Sequence, residues 1–239
     1  MIFGDAGSSW CKVYTLGDDA VRIDSVQKMH QSDLAFDWGT GHTARKRSTH
    51  FENDLISLTK GALALVDEAS FTMLDLGSRD AKLVGFSDRR PVKLDWSVGC
   101  AAATGATMEM LGRFYDIDFD TIVITEEWSP VTCGTYAVER IMDAVSNGDA
   151  PDTAVARFVH GLAKNAVTFS GEPKRLYLSG GFTTNSAFVS ALSRYTEVIP
   201  MGRTVPLAGL FAFASEKDPS LGEIPAALRP TVAPADRLS

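Results

Sequence analysis

Cysteine is scarce in this chain: three in 239 residues, at positions 11, 100 and 133. That excludes a disulfide framework, which needs several paired cysteines. Histidine is almost as sparse, at positions 30, 42, 50 and 160 only. None of the four stands near a cysteine in a local arrangement that would supply a catalytic base. Long apolar runs are absent too, so no segment is expected to span a bilayer. Met1-Ile2-Phe3 runs at once into Gly4-Asp5 with no charged leader, and the expectation is a cytoplasmic protein without a membrane partner. The formal net charge is −7, and the one dense basic stretch is Ala44-Arg-Lys-Arg-Ser-Thr-His50. That balance argues against a nucleic-acid partner, and the basic stretch reads as a solvated loop. The P-loop pattern and the dinucleotide-binding glycine fingerprint are both missing, which removes those two folds.

What remains is ample for a core. Hydrophobic residues make up 45% of the chain, with thirteen phenylalanines and four tryptophans. Strand and helix patterns alternate. "MIFGDAG" and "CKVYTLGDDAVRIDSVQKM" read as a hairpin and a further strand, and "FENDLISLTKGALALVDEA" carries apolar residues at helical spacing. A second strand pair follows in "FTMLDLGSRDAKLVGF". Two helices headed by Cys100 and Cys133 come next, then the helical "APDTAVARFVHGLAKNAVTF". "RLYLSGGFTTNSAFVSALSRY" reads strand, turn, helix, and "VPLAGLFAFAS" is a closing apolar helix. From Asp218 the chain turns polar and holds four of its ten prolines, so a tail is expected there.

Two Asp-x-Gly turns stand about seventy residues apart, which suggests an internal duplication. In "GDAGSSWCK" the backbone N–H groups and the Ser8 and Ser9 hydroxyls could surround phosphate oxygens, with Gly7 at the turn and Lys12 beyond it. Asp5 would hold magnesium through water, because that ion keeps much of its hydration shell. Alone, this is an ordinary hairpin. "DLGSRDAK" repeats the scheme with Asp75, Gly77 and Asp80, and the pair favours a nucleotide site between two mixed α/β halves. In "LSGGFTTN", Gly180 and Gly181 would let a flat adenine or ribose approach the backbone, or simply make a tight strand-to-helix loop.

Cys100 and Cys133 each stand just before a helix, where N–H groups and the helix dipole favour a thiolate. Taken singly, each is more often a buried small side chain. A zinc or iron–sulfur site needs four ligands, which two cysteines do not supply. Two subunits giving two thiolates each would close such a site on a symmetry axis.

The motifs Asp5-Ala-Gly-Ser-Ser, Asp75-Leu-Gly-Ser-Arg-Asp, Cys100-Ala-Ala-Ala-Thr-Gly, Thr132-Cys-Gly-Thr and Ser179-Gly-Gly-Phe-Thr-Thr-Asn stand in one order. That order resembles the activator family of 2-hydroxyacyl-CoA dehydratases and ATP-dependent benzoyl-CoA reductases, over roughly residues 1 to 215. The resemblance implies an α/β fold shared with actin, sugar kinases and heat-shock chaperone ATPases, a duplicated ribonuclease-H-like fold. It implies ATP or ADP with Mg2+, and a homodimer with one [4Fe-4S] cluster held by Cys100 and Cys133 of each subunit. It implies catalytic roles for Asp5, Asp75 and Asp80, and nucleotide contacts from Gly7, Ser8, Ser9, Lys12, Gly77, Gly180 and Gly181. The partners implied are an electron donor such as ferredoxin or flavodoxin and an accepting iron–sulfur dehydratase or reductase. The family pattern differs at Ser78 and Arg79, at Ala103, and in "NDLISLTKGA", where a histidine-containing segment is common. The division expected is a first half at 1–68 closed by a helix around 206–217, a second half at 69–205 and a tail at 218–239. Two other readings are a small-molecule kinase of the same fold, with Asp54 or Asp75 as base, and a nucleotide-switched assembly protein without catalysis.

Overall fold

The computed structural model describes residues 1–97 and 105–230. Contacts divide the chain into two units, Met1–Glu68 with Pro200–Ser239, and Ala69–Ile199.

In the first unit, β1 (Ile2–Ala6) is followed by β2 (Trp10–Thr15), β3 (Arg22–Ser25), α1 (Val26–His30), β4 (Phe36–Thr40), β5 (Ser48–Phe51) and α2 (Asp54–Leu65). The sheet order is β3-β2-β1-β4-β5. β1 pairs antiparallel with β2 and parallel with β4. The central strand is buried from Phe3 to Ala6, as expected of a strand covered on both faces. Local capping marks the helices: the Ser25 side chain accepts from the Lys28 N–H, and the Asn53 side chain accepts from the Leu55 N–H.

The second unit repeats this plan. β6 (Phe71–Leu76), β7 (Ala81–Ser87) and β8 (Arg90–Ser97) lead to α3 (Gly105–Tyr115), α4 (Gly134–Ser146) and α5 (Pro151–Ser170). β9 (Arg175–Gly180), α6 (Ser186–Leu192) and β10 (Glu197–Pro200) follow. The order β10-β9-β6-β7-β8 is that of the first sheet read from its other edge. β6 again pairs antiparallel with the next strand and parallel with the strand after the helices, β9. The duplication suggested by the two turns is therefore a duplication of sheet topology. The main difference is that α3, α4 and α5 stand where the first unit has only α1. α5 begins with Pro151 and ends at Gly171 in the left-handed conformation, both standard helix boundaries. Its Val155, Phe158, Val159, Leu162 and Ala163 are buried in the second unit's core.

The chain then returns to the first unit with α7 (Val205–Lys217). Leu207, Leu210 and Phe211 of α7 pack with Phe3, Tyr14 and Trp38. The stretch after Asp218 differs from the expected tail. Leu228 is fully buried in that same cluster, flanked by Leu221 and Ile224, and its carbonyl accepts from the Thr204 hydroxyl at 3.1 Å. Three apolar residues spaced through a proline-rich stretch suffice to dock it, because they bury apolar surface in the cluster that α7 helps to form.

Candidate functional site

Asp5 lies near the carboxyl end of β1 and is 5% exposed. Lys12 stands opposite it across the β1–β2 pair, and its Nζ is 2.7 Å from Asp5 Oδ2. The Gly7 N–H donates to the Trp10 carbonyl at 3.0 Å and closes the turn, which leaves Ser8 exposed. A loop after β4 braces this turn. Thr43 donates its N–H to the Ala6 carbonyl at 3.0 Å, and its hydroxyl reaches the same oxygen at 3.2 Å. Gly41 adopts φ +91°, and a Cβ there would stand 2.5 Å from the Ala6 carbonyl oxygen and 3.0 Å from Asp5 Oδ1. Only glycine lets the loop lie this close.

The second turn is built alike. Asp75, in β6, is opposite Lys82 of β7, and both are buried. The Gly77 N–H donates to the Asp80 carbonyl at 3.0 Å. Asp80 is held by two donors: Lys82 Nζ at 3.0 Å from Oδ1 and Trp96 Nε1 at 3.0 Å from Oδ2. Each turn thus carries an aspartate with a lysine across the strand pair. Lys82, for which the sequence carried no expectation, follows its turn at the place that Lys12 holds after the first.

Gly180 is brought against this second turn. It ends β9 opposite Leu76, has φ +92°, and any side chain would overlap the Leu76 carbonyl oxygen. Its glycine is therefore demanded by the fold. Gly7, Gly77 and Gly181 are different. None has a left-handed φ, and the nearest obstacle to a Cβ is 3.4 Å away at Gly7 and 3.3 Å at Gly77, with none within 4 Å at Gly181. Packing does not demand glycine at these three positions.

The second turn also touches α3. The Ala106 N–H donates to the Ser78 carbonyl at 3.0 Å, and a Cβ on Gly105 would stand 2.8 Å from the Gly77 carbonyl oxygen. The helix that follows the Cys100 segment therefore begins on this turn.

Cys133 is the N-cap residue of α4, is half-buried and is not in a disulfide. The dipole of the helix favours an anion at that end. Cys100 and Ala103 lie outside the described residues, as does the expected helix start at Ala101. Cys11 is fully buried in the first unit, where burial and then the nearby Asp5 push its thiol up to about 12. It stays neutral and inert. His160 serves no thiol either: its Nδ1 is 3.1 Å from the Glu127 carbonyl oxygen and its Nε2 is 2.6 Å from the Tyr195 hydroxyl. Asp54 opens α2 and accepts from the Leu55 N–H at 3.1 Å, an end-of-helix role. The basic stretch, expected as a solvated loop, instead forms a short helical turn at Arg45–Arg47 that leads into β5, with the Arg47 guanidinium donating to the Ser32 and Leu34 carbonyls.

Among the described residues no group of three or more His, Cys, Asp or Glu side chains could hold a metal ion. A magnesium ion bound by one carboxylate, water and substrate phosphates fits the chemistry of either turn, whereas an all-protein cage does not. No described helix is long and apolar enough to cross a membrane.

The fold is that of the actin-like ATPases and sugar kinases, with an Asp-x-Gly turn repeated in each half. No protein-family model matches the chain. It is similar to the activator of lactoyl-CoA dehydratase of Anaerotignum propionicum, 24% identical over 216 residues, covering 83% of this chain and 82% of that protein. Among solved structures it is similar to the activator of the 2-hydroxyisocaproyl-CoA dehydratase of Clostridium difficile with bound ADPNP. There the TM-score is 0.72 and the identity 20%, over 90% of this chain and 94% of that one. Component A of the (R)-2-hydroxyglutaryl-CoA dehydratase of Acidaminococcus fermentans gives a TM-score of 0.70 at 15% identity, covering 90% and 97%. The resemblance read from the motifs is thus matched by a curated relative and by solved activators.

Proposed function

We propose that the chain is an ATP-dependent activator of an acyl-CoA dehydratase or a related reductase. ATP and ADP would be bound with magnesium by the backbone and hydroxyls of Gly7, Ser8 and Ser9, by Lys12, and by Gly77. Asp5, Asp75 and Asp80 would stand near the metal and phosphates, and Gly180 and Gly181 near the adenosine. The observation that carries this reading is the repeated turn: an aspartate near a strand end, a glycine closing the bend, and a lysine across the pair, once in each unit. The glycines at 7, 77 and 181 support it, because a ligand pressing on the backbone gives a reason for missing side chains that packing does not.

Cys100 and Cys133 of two chains would hold one [4Fe-4S] cluster. Such a cluster, when bound, supplies a one-electron carrier of low potential. The position of Cys133 at a helix N-terminus supports thiolate ligation. Pairing of two chains is supported by Met110 and Phe114, exposed one turn apart on α3, and by exposed Tyr136 and Met142 on α4. An electron would come from a ferredoxin- or flavodoxin-like donor and leave for a partner iron–sulfur dehydratase or reductase.

The bond between Ala106 and Ser78 supports a link from nucleotide to cluster. A ligand shifts a conformational equilibrium only through its different affinities for the two states. ATP and ADP at the second turn would therefore place α3 differently, and with it the segment that carries Cys100. The test is the rate of iron loss to a chelator with ADP, with a non-hydrolysable ATP analogue, and without nucleotide. Distinct rates are expected. Equal rates in all three would uncouple the nucleotide from the cluster and refute the activator mechanism.

A further inference from the structure

Two hydroxyls beside the turns have no structural explanation. Thr40 ends β4 and stands opposite Asp5 in the parallel pair with β1; Ser179 stands opposite Asp75 in the parallel pair of β6 with β9. Both residues are fully buried. Among the described residues neither Thr40 Oγ1 nor Ser179 Oγ has a hydrogen-bond partner. Residues opposite one another in adjacent strands share a face of the sheet, so each hydroxyl is on the aspartate's side. Phe3 and Trp38, two residues earlier in the same pair, do share one cluster.

A buried hydroxyl left unpaired is destabilising, and valine or alanine would fill the same space without that cost. A third unpaired hydroxyl, Ser57, lies in α2 at the crossing with α7, where a Cβ on Gly209 would overlap the Ser57 carbonyl oxygen. Thr40 and Ser179 lie in strands and not at that crossing. Instead they recur at equivalent places in two units, each next to the aspartate of its turn.

We infer that Thr40 and Ser179 are positioning residues, whose hydroxyls bond water molecules in a magnesium–nucleotide hydration shell, Thr40 beside Asp5 and Ser179 beside Asp75. This rests on the nucleotide reading above. Magnesium dehydrates reluctantly and keeps several waters, so aspartates that hold it through water need further groups to keep those waters in place. A buried hydroxyl can both donate to and accept from water. The hydroxyls touch the shell and not the reacting phosphate. Their removal should therefore alter the magnesium requirement before it alters the affinity for nucleotide alone.

The experiment uses the full chain with Thr40→Val, Thr40→Ser, Ser179→Ala and wild type. Binding of ADP is measured by calorimetry over a magnesium titration, with the melting temperature of the nucleotide-free protein beside it. In Thr40→Val and Ser179→Ala the half-saturating magnesium should rise about tenfold, the worth of one hydrogen bond. ADP binding without magnesium should not change, the nucleotide-free melting temperature should not fall, and Thr40→Ser should behave as wild type. Unchanged magnesium dependence in both hydroxyl-free variants would overturn the inference, as would a lowered melting temperature with normal binding. If wild type itself binds ADP with no dependence on magnesium, the nucleotide reading fails first, and this inference falls with it.

Discussion

The crossing of α2 and α7 offers a test in which two known effects oppose each other. Gly61 and Gly209 face one another there. An added Cβ at Gly209 would overlap the Ser57 carbonyl oxygen, and would stand 2.8 Å from the Ser57 carbonyl carbon and 2.9 Å from the Gly61 nitrogen. Likewise, a Cβ at Gly61 would overlap the Val205 carbonyl oxygen. Carbon atoms rest at about 3.5 Å or more, so Gly209→Ala must part the helices by the better part of an ångström. The obstacles are backbone atoms, which no rotamer change can move. Parting the helices also disturbs the ion pair of Lys60 with Glu216 and the Lys60 cation over Phe213. Overpacking of this kind costs about 1–3 kcal/mol, and backbone obstruction places this site at the upper end. Against it, alanine in place of glycine favours a helix by about 1 kcal/mol. The packing cost should win by about 2 kcal/mol, a fall of roughly 4–8 °C in melting temperature for a chain of this size. Thermal and urea unfolding of Gly209→Ala measure it. A rise in melting temperature would mean that helix propensity prevails, and that the helices do not approach this closely.

Other outcomes follow from single residues. The Cys11 thiol is raised from 9.0 to about 12 by burial and Asp5, so the folded chain holds its proton more tightly than the unfolded one. The stability linked to it is intact below pH 9 and is lost as pH rises from 9 toward 12. Cys11→Ala should lose less stability than wild type between pH 8 and 11, and parallel losses would contradict the burial argument. Ending the chain after Lys217 removes Leu221, Ile224 and Leu228 from their cluster; Leu228→Ala alone should cost about 2–4 kcal/mol. An unchanged melting temperature on truncation would make residues 218–230 a dispensable arm. Asp5→Asn removes the charge that faces Lys12 and should cut ATP hydrolysis at least tenfold, read as steady-state phosphate release; wild-type turnover would remove Asp5 from the site.

Much of this was legible because the signals are local. Gly7 and Gly77 each close a turn three residues before a backbone partner, and alternating apolar residues flank both, so hairpin and duplication show in one stretch of chain. Cys133 could be placed at a helix start because Gly134 opens an amphipathic run directly after it. Lys82 was visible in principle as the counterpart of Lys12. Thr40 and Ser179 were not, because parallel pairing brings them to Asp5 and Asp75 from distant parts of the chain. β4 and β5 are too short to carry a period, and Trp96 reaches Asp80 only because β8 folds back on β7. Leu228 sits in a polar, proline-rich stretch whose composition says tail, while one buried side chain and its neighbours decide otherwise.

The central claim is that two chains, each binding magnesium–nucleotide at its repeated turns, share one cluster through Cys100 and Cys133. The most direct measurement is iron per chain in protein purified without oxygen, for wild type and for Cys11→Ser, Cys100→Ser and Cys133→Ser. One [4Fe-4S] cluster is expected for every two chains in wild type and in Cys11→Ser, and none in the other two variants. Iron-free wild-type protein, a full cluster in every chain, or iron retained after loss of Cys133 would contradict it.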